Sequence, residues 1–491
     1  MTSLHKNRQI HWSVLLALLA VLNARSPVLA AGPSGNLESP GSNELPRSMV
    51  TLQITPDHPL MDERIGIRIA GLRPKRAILV TARTRSQDGL WWRSHAIFTS
   101  DSMGEIDLAA QAPVTGSYRG VDVMGLFWSM SPDAKPRNAE HGFFEIKDPS
   151  IPLDTELQVW DDAQLLAEAN VVRSYGEYVV RASPAGNGVT GILYSPSDTG
   201  THPAVLVIGG SDGGLGAPAV AMLLAAHGFT ALSIAYFGLP GLPSSLEAIP
   251  MEDFTRAIDW LSRQPGVDSR FVAIYGESRG SEPALWVAAN AAAVNAVVVR
   301  SPSHVLWGGV TAHHLPGAAA WTWHGRSPPY IPNHLSIGLW VSYGWDLLTA
   351  RPVSQRALFL DNLKAFGDTA DIDISVENID GPILVLAGKD DQIWPSDLMA
   401  RRIMARLREH GHAFADQLLE FENVGHPIPY LYVPINGDRQ HSRFAVGGTV
   451  QGTVKAQAEA WPRIIAFLQS AARNSNNDRN ATKVDSALIS E

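Results

Sequence analysis

Beyond residue 50, apolar and polar positions alternate in short runs. Val50–Ile54, Ile65–Ile69, Ala77–Ala82 and Trp91–Phe98 read as strands, parted by the turn residues Pro56-Asp57, Gly71 and Asp88-Gly89. This period-two alternation, with strands spaced about ten residues apart, predicts a small β-sandwich over residues 49–160. Its least regular stretch, Gly116–Trp128, carries aromatics and a Met suited to a sandwich core.

After residue 160 the pattern changes to strands alternating with helices. Ala204–Ile208 is apolar throughout, as a strand buried on both faces should be. Gly191–Tyr194, Thr230–Ile234, Phe271–Tyr275, Ala296–Val299, Ile383–Ala387 and Gln417–Phe421 extend the strand set. Ala217–His227 reads as a helix. Phe254, Ala257, Ile258 and Leu261 fall at i, i+3, i+4 and i+7, giving a second helix one apolar face. A last helix is expected from Val454 to Ala472. Such alternation implies an α/β unit with a mostly parallel, doubly wound sheet over residues 161–473. Between 301 and 379 the alternation breaks into a stretch rich in Trp, His, Pro and Gly, which reads as a lid-like insertion over the sheet. Residues 474–491 are polar and are expected to be disordered.

The N-terminus has a different character. His5, Lys6 and Arg8 precede the apolar run Trp12–Leu22, and Val28-Leu29-Ala30 offers small residues for cleavage. This predicts a signal peptide over residues 1–30 and a periplasmic or secreted protein, or a cytoplasmic one if the leader is not used. The run is too short to span a bilayer, which takes roughly 20 apolar residues. Residues 31–48, rich in Gly, Ser, Pro and Asn, read as a linker.

Composition removes several classes of function. A net charge of -9 without any basic stripe argues against nucleic acid as a partner. Cysteine is absent, which excludes disulfides, thiolate metal sites and a cysteine nucleophile. The adjacent His313 and His314 have no carboxylates nearby, so neither a metal nor another cofactor is expected.

The chemistry converges on Gly276-Glu277-Ser278-Arg279-Gly280, a G-x-S-x-G placed between a strand and a helix. A serine on so tight a turn is lifted out of the sheet, and its close neighbours must be glycine. Ser278 is therefore the candidate nucleophile. It needs a base and an orienting acid, which follow in the order acid, then histidine. Asp391, in the loop Gly388–Pro395, is the preferred acid, with Asp390 the alternative. His426 lies on a glycine-bearing loop after the next strand and is the candidate base. The glycine loop Gly209–Gly216 follows the buried strand. It offers a backbone N–H near Gly210 or Ser211 for an oxyanion, with Arg279 supplying the second. The loop lacks the Lys-Ser/Thr ending of a phosphate-binding P-loop. Arg279 itself reads either as a contact for an anionic substrate or as a solvated arginine at a helix start.

Three stretches together resemble the acyl-CoA thioesterases and bile acid-CoA:amino acid N-acyltransferases: Gly116–Trp128, Gly276–Glu282 and Gly381–Ser396. The resemblance implies an N-terminal immunoglobulin-like sandwich joined to an α/β-hydrolase domain, with nucleophile, acid and base at Ser278, Asp391 and His426. It also implies that serine members hydrolyse whereas cysteine members transfer the acyl group to an amine, so hydrolysis of an acyl thioester is expected. Because coenzyme A thioesters are intracellular, the leader favours a second reading, an exported ester or amide hydrolase similar to the dienelactone hydrolases. A third is a catalytically inactive binding protein on the same scaffold. Oligomeric state is open.

Overall fold

The computed structural model describes residues 50–488 apart from 135–143, 145, 183–187, 293, 312–315, 350, 368–371, 429–431 and 436–443. The expected leader and linker, and the His313-His314 pair, lie outside the described residues.

Nine strands open the described chain: β1 (Thr51–Thr55), β2 (Gly66–Ala70), β3 (Ala77–Arg85), β4 (Trp91–Thr99), β5 (Ile106–Asp107), β6 (Thr115–Gly116), β7 (Ser131–Pro132), β8 (Leu153–Asp161) and β9 (Gln164–Arg173). They pair antiparallel as one sheet β1-β2-β5 and a second β6-β4-β3-β8-β9, with β7 also on β4. Alternate residues point inward, so Trp92, Ser94, Ala96 and Phe98 of β4 are buried against Ile78, Val80 and Ala82 of β3. The stretch Gly116–Trp128 ends in a one-turn helix α1 (Gly125–Trp128), whose residues are all buried in this core.

The sandwich extends past the boundary expected at residue 160. Asp161 and Asp162 look polar enough to begin a linker, yet Asp161 pairs with Gln164 across a tight turn into β9. Asp162 takes a left-handed φ of 50°, which aspartate tolerates better than most residues. Arg76 fixes this corner through a 2.7 Å bond to Asp161.

The second part contains β10 (Tyr178–Ala182), β11 (Thr190–Pro196), β12 (His202–Ile208), α2 (Pro218–Ala226), β13 (Thr230–Ala235), β14 (Ile249–Pro250), α3 (Glu252–Ser262), β15 (Val267–Glu277), α4 (Ser281–Asn290) and β16 (Ala296–Arg300). The insertion then supplies β17 (Gly308–Val310), β18 (Pro316–Ala319), β19 (Trp321–Thr322), α5 (Ile337–Leu348) and α6 (Arg356–Phe366). The fold closes with β20 (Ile383–Gly388), α7 (Ser396–Glu409), β21 (Gln417–Phe421) and α8 (Val450–Leu488).

Eight of these strands form one sheet in the order β10-β11-β13-β12-β15-β16-β20-β21. β11 runs antiparallel to its neighbours and every pair from β13 to β21 is parallel. Helix α3 buries Phe254, Ala257, Ile258 and Leu261, the face its periodicity predicted. From β12 the chain crosses outward to β13, then back past β12 to β15. The carboxyl ends of β12 and β15 therefore flank a switch point, where open α/β sheets place their sites.

The insertion helps form two small ribbons apart from the main sheet: β19 pairs with β14, and β17 with β18. Its α5 leaves Ile337, Val341, Trp345 and Leu348 exposed. Contrary to the disorder expected from Asn474 on, helix α8 runs through to Leu488. Extending a formed helix adds one hydrogen bond per residue without a new nucleation cost, so polar composition alone does not stop it.

Candidate active site

Ser278 stands on the turn between β15 and α4 with φ at 52°, a strained conformation for a residue with a side chain. The flanking glycines let three segments meet there. A Cβ on Gly276 would lie 2.6 Å from the Gly280 oxygen and 2.7 Å from Ala284 Cβ. A Cβ on Gly280 would come within 2.6 Å of the Ile208 carbonyl, at the end of β12. The Ser281 hydroxyl donates to the Ser278 carbonyl at 2.6 Å and braces the turn.

His426 follows β21 on a loop anchored at both its backbone groups. Its N–H donates to Val446 at 2.8 Å, and its carbonyl accepts from the Ser301 hydroxyl at 2.6 Å. Nε2 lies 2.9 Å from Ser278 Oγ and Nδ1 lies 2.8 Å from Asp391 Oδ2. With its proton on Nδ1, the imidazole donates to the carboxylate and accepts from the serine. The Trp394 ring packs edge-on to it at 5.9 Å.

Asp391 is fully buried beyond β20. Its Oδ1 accepts the backbone N–H groups of Ile393 (2.9 Å) and Trp394 (3.2 Å), and its Oδ2 accepts the Ser396 hydroxyl (2.6 Å) as well as His426. Arg356 donates to the Asp391 carbonyl at 2.9 Å and pairs with Asp397 at 2.8 Å, tying the loop to α6 and α7. Asp390 points elsewhere, accepting from Gln392 Nε2 and the Gly448 N–H at 2.8 Å each. Of the two neighbouring acids, Asp391 is the one that meets the histidine.

The loop after β12 lies against the serine: a Cβ on Gly210 would stand 3.2 Å from Ser278 Cβ and 3.6 Å from its Oγ. Ser211 is exposed on the same loop. Tyr236, just after β13, donates its buried hydroxyl to the Gly209 and Gly210 carbonyls, 2.7 Å from each.

The Arg279 side chain is neither solvated nor open to a substrate. It is buried, and its Nε closes to 2.6 Å on Glu282 Oε1 without the alignment of a hydrogen bond. Nη2 donates to the carbonyls of Trp307 (3.3 Å) and Gly308 (3.0 Å) in the insertion. Glu282 Oε2 accepts the Trp307 N–H at 2.9 Å and the Trp321 indole at 2.8 Å. Burial pushes the Glu282 carboxyl up to about 7, against the pull of Arg279 and the two donors. The turn into α4 thus fastens the insertion beside the nucleophile.

Tyr236, Glu282 and Ser396 were not singled out from the sequence. Glu282 left a trace there, as an acid in a run of residues otherwise suited to burial. The other two left none. Among the described residues no group of three His, Cys, Asp or Glu side chains could hold a metal ion.

A serine, an imidazole and a buried carboxylate in hydrogen-bonded series, at the switch point of an eight-stranded α/β sheet, define the α/β-hydrolase class. Residues 62–184 match the acyl-CoA thioester hydrolase/BAAT N-terminal region, and residues 249–474 match the BAAT/acyl-CoA thioester hydrolase C-terminal region. Acyl-coenzyme A thioesterase 5 of Mus musculus is 30% identical over 84% of this chain and 94% of its own. Acyl-coenzyme A thioesterase 6 of the same species is 31% identical over 83% and 93%. Acyl-coenzyme A thioesterase 1 of Homo sapiens is 29% identical over 83% and 93%. Among solved structures, a dienelactone hydrolase-like promiscuous phosphotriesterase from metagenomic libraries aligns with 60% of this chain and 99% of its own, at 16% identity and a TM-score of 0.37. The chain belongs to the acyl-CoA thioester hydrolase/BAAT family.

Proposed function

We propose that the protein is a serine hydrolase that cleaves acyl thioesters of the acyl-CoA type through an acyl-serine intermediate. The observation that carries this reading is the 2.9 Å approach of His426 Nε2 to Ser278 Oγ, with Asp391 at 2.8 Å behind the ring. His426 takes the hydroxyl proton as Ser278 Oγ bonds to the thioester carbonyl carbon. The carbonyl oxygen gathers charge and is met by the backbone N–H groups of Arg279 and of Gly210 or Ser211. Collapse of that adduct breaks the carbon–sulfur bond, and the thiol departs with the proton held by His426. Water then attacks the acyl-serine, giving its proton to His426. The free acid leaves and Ser278 recovers its proton.

A serine nucleophile suits hydrolysis, and the relatives named above are thioesterases. The run Trp12–Leu22 behind His5, Lys6 and Arg8 favours a second reading, in which the protein is exported and acts on a carboxylic ester or amide. Among the described residues no helix is long and apolar enough to cross a membrane.

The deciding experiment is hydrolysis of short and long acyl-CoA thioesters beside matched simple esters by wild type and Ser278→Ala. Preference for the thioesters, abolished by Ser278→Ala, is the expected result. Turnover of simple esters alone would move the substrate to the second reading. Turnover that survives Ser278→Ala would end the serine mechanism.

A further inference from the structure

Arg173, at the end of β9, is 1% exposed, yet no carboxylate pairs with it among the described residues. Burial pushes its guanidinium down to about 10. Its Nε has no hydrogen-bond partner among the described residues. Removing a cation from water costs several kcal/mol, and an apolar side chain of similar size would fill this space at lower cost. What the guanidinium does touch is specific. Nη1 donates to the Tyr432 carbonyl at 2.5 Å, and the group lies 4.7 Å over the Phe127 ring.

Tyr432 stands six residues beyond His426 in the chain. Two more bonds join the same segment to the sandwich: the Tyr432 N–H donates to Met61 at 3.3 Å, and the Ile435 N–H to the Trp128 carbonyl at 3.0 Å. Phe127 and Trp128 close the stretch Gly116–Trp128, whose conspicuous sequence the proposed chemistry does not otherwise use. On the other side of the loop, Arg300 of β16 donates to the Ile428 carbonyl and pairs with Glu277, the residue before the nucleophile.

We propose that the sandwich is a positioning element of the active site, in which Arg173, Phe127 and Trp128 clamp Tyr432–Ile435 and so hold His426 at its distance from Ser278. Arg173 is a positioning residue that acts through its bond to the Tyr432 carbonyl; it touches no reacting atom. This rests on His426 serving as the base, and the test separates the two ideas.

The test compares full-length wild type, Arg173→Met and Arg173→Lys. Methionine keeps the apolar volume and removes the donors, whereas lysine keeps one donor for Tyr432. Hydrogen exchange at the His426 amide, which donates to Val446, reads the loop without requiring turnover. Endpoint labelling by a fluorophosphonate counts competent sites, so kcat is expressed per labelled serine. Arg173→Met is expected to speed exchange at His426 by about tenfold, leave β15 amides unchanged and lower kcat per site by about tenfold, with KM within about twofold. Arg173→Lys should recover much of both losses.

Unchanged exchange at His426 would overturn the proposal. So would faster exchange in β15 to the same degree, or an unaltered kcat per site, since Arg173 would then support the fold alone. A wild type that is neither labelled nor active would defeat the proposed function, while the exchange comparison would still decide whether the sandwich holds the loop.

Discussion

Ser396 donates its hydroxyl to the same Asp391 oxygen that faces His426, at 2.6 Å against 2.8 Å. The serine opens α7, so the helix start fixes the rotation of the carboxylate and with it the line of the imidazole. Ser396→Ala should lower kcat by about tenfold while leaving KM nearly unchanged, since a hydrogen bond to a charged group is worth about 1.5–3 kcal/mol. Asp391→Asn should cost on the order of a thousandfold or more, because the amide favours the wrong tautomer of His426. Asp390→Asn loses contacts to Gln392 and Gly448 only, so its kcat should stay within a few-fold of wild type. Steady-state kinetics of the three variants would show whether this order holds; a larger loss in Asp390→Asn would reverse the assignment of the acid.

Tyr236 bridges two successive carbonyls of the loop beside Ser278, and burial holds its hydroxyl protonated well above the usual phenol range. Tyr236→Phe removes the bridge and leaves both carbonyls without that donor. Stability should fall by about 1–2 kcal/mol and kcat by about tenfold, as the loop N–H groups lose their aim. Kinetics alongside urea unfolding would check this. A loss of stability with full kcat would mean the loop keeps its shape without the tyrosine.

Gly280 brings the nucleophile turn against β12, where an added Cβ would meet the Ile208 carbonyl at 2.6 Å. Backbone cannot step aside as a flexible side chain can. Gly280→Ala should cost about 3 kcal/mol and most of the activity. Gly338, on α5 with nothing within 4 Å of its would-be Cβ, is the matched control. Gly338→Ala should be neutral or stabilise by up to about 1 kcal/mol. Thermal melts of both would tell close approach apart from a general intolerance of alanine.

Most strands of the catalytic half were legible because the central ones are apolar on both faces, as in Ala204–Ile208 and Ile383–Ala387. β10 was not, since it is an edge strand whose Val179 and Val180 are exposed and whose alternation is weak. Ser278, Asp391 and His426 could be marked as candidates because each sits on a turn or loop whose glycines and flanking strand single it out. Arg279 was misread because its charge suggested solvent. Its buried partner Glu282 is only three residues away, but the carbonyls that complete the site belong to Trp307 and Gly308, 28 and 29 residues on. Such partners come together only in the folded chain.

The same pair sets a pH dependence of stability. A glutamate ordinarily titrates at 4.5, and burial raises Glu282 to about 7 in the folded chain. Between those values the native state holds a proton that the unfolded state has released. The stability linked to this proton is therefore complete below about pH 4.5 and is lost as pH rises through 7, a change of roughly 3 kcal/mol for a rise of this size. Glu282→Gln cannot titrate, and the cost of leaving Arg279 unpaired is present at every pH. Urea midpoints taken at pH 5 and pH 8 should consequently fall further for wild type than for Glu282→Gln. If wild type loses no more than the variant over that interval, Arg279 keeps the carboxylate charged and attraction outweighs burial at this site.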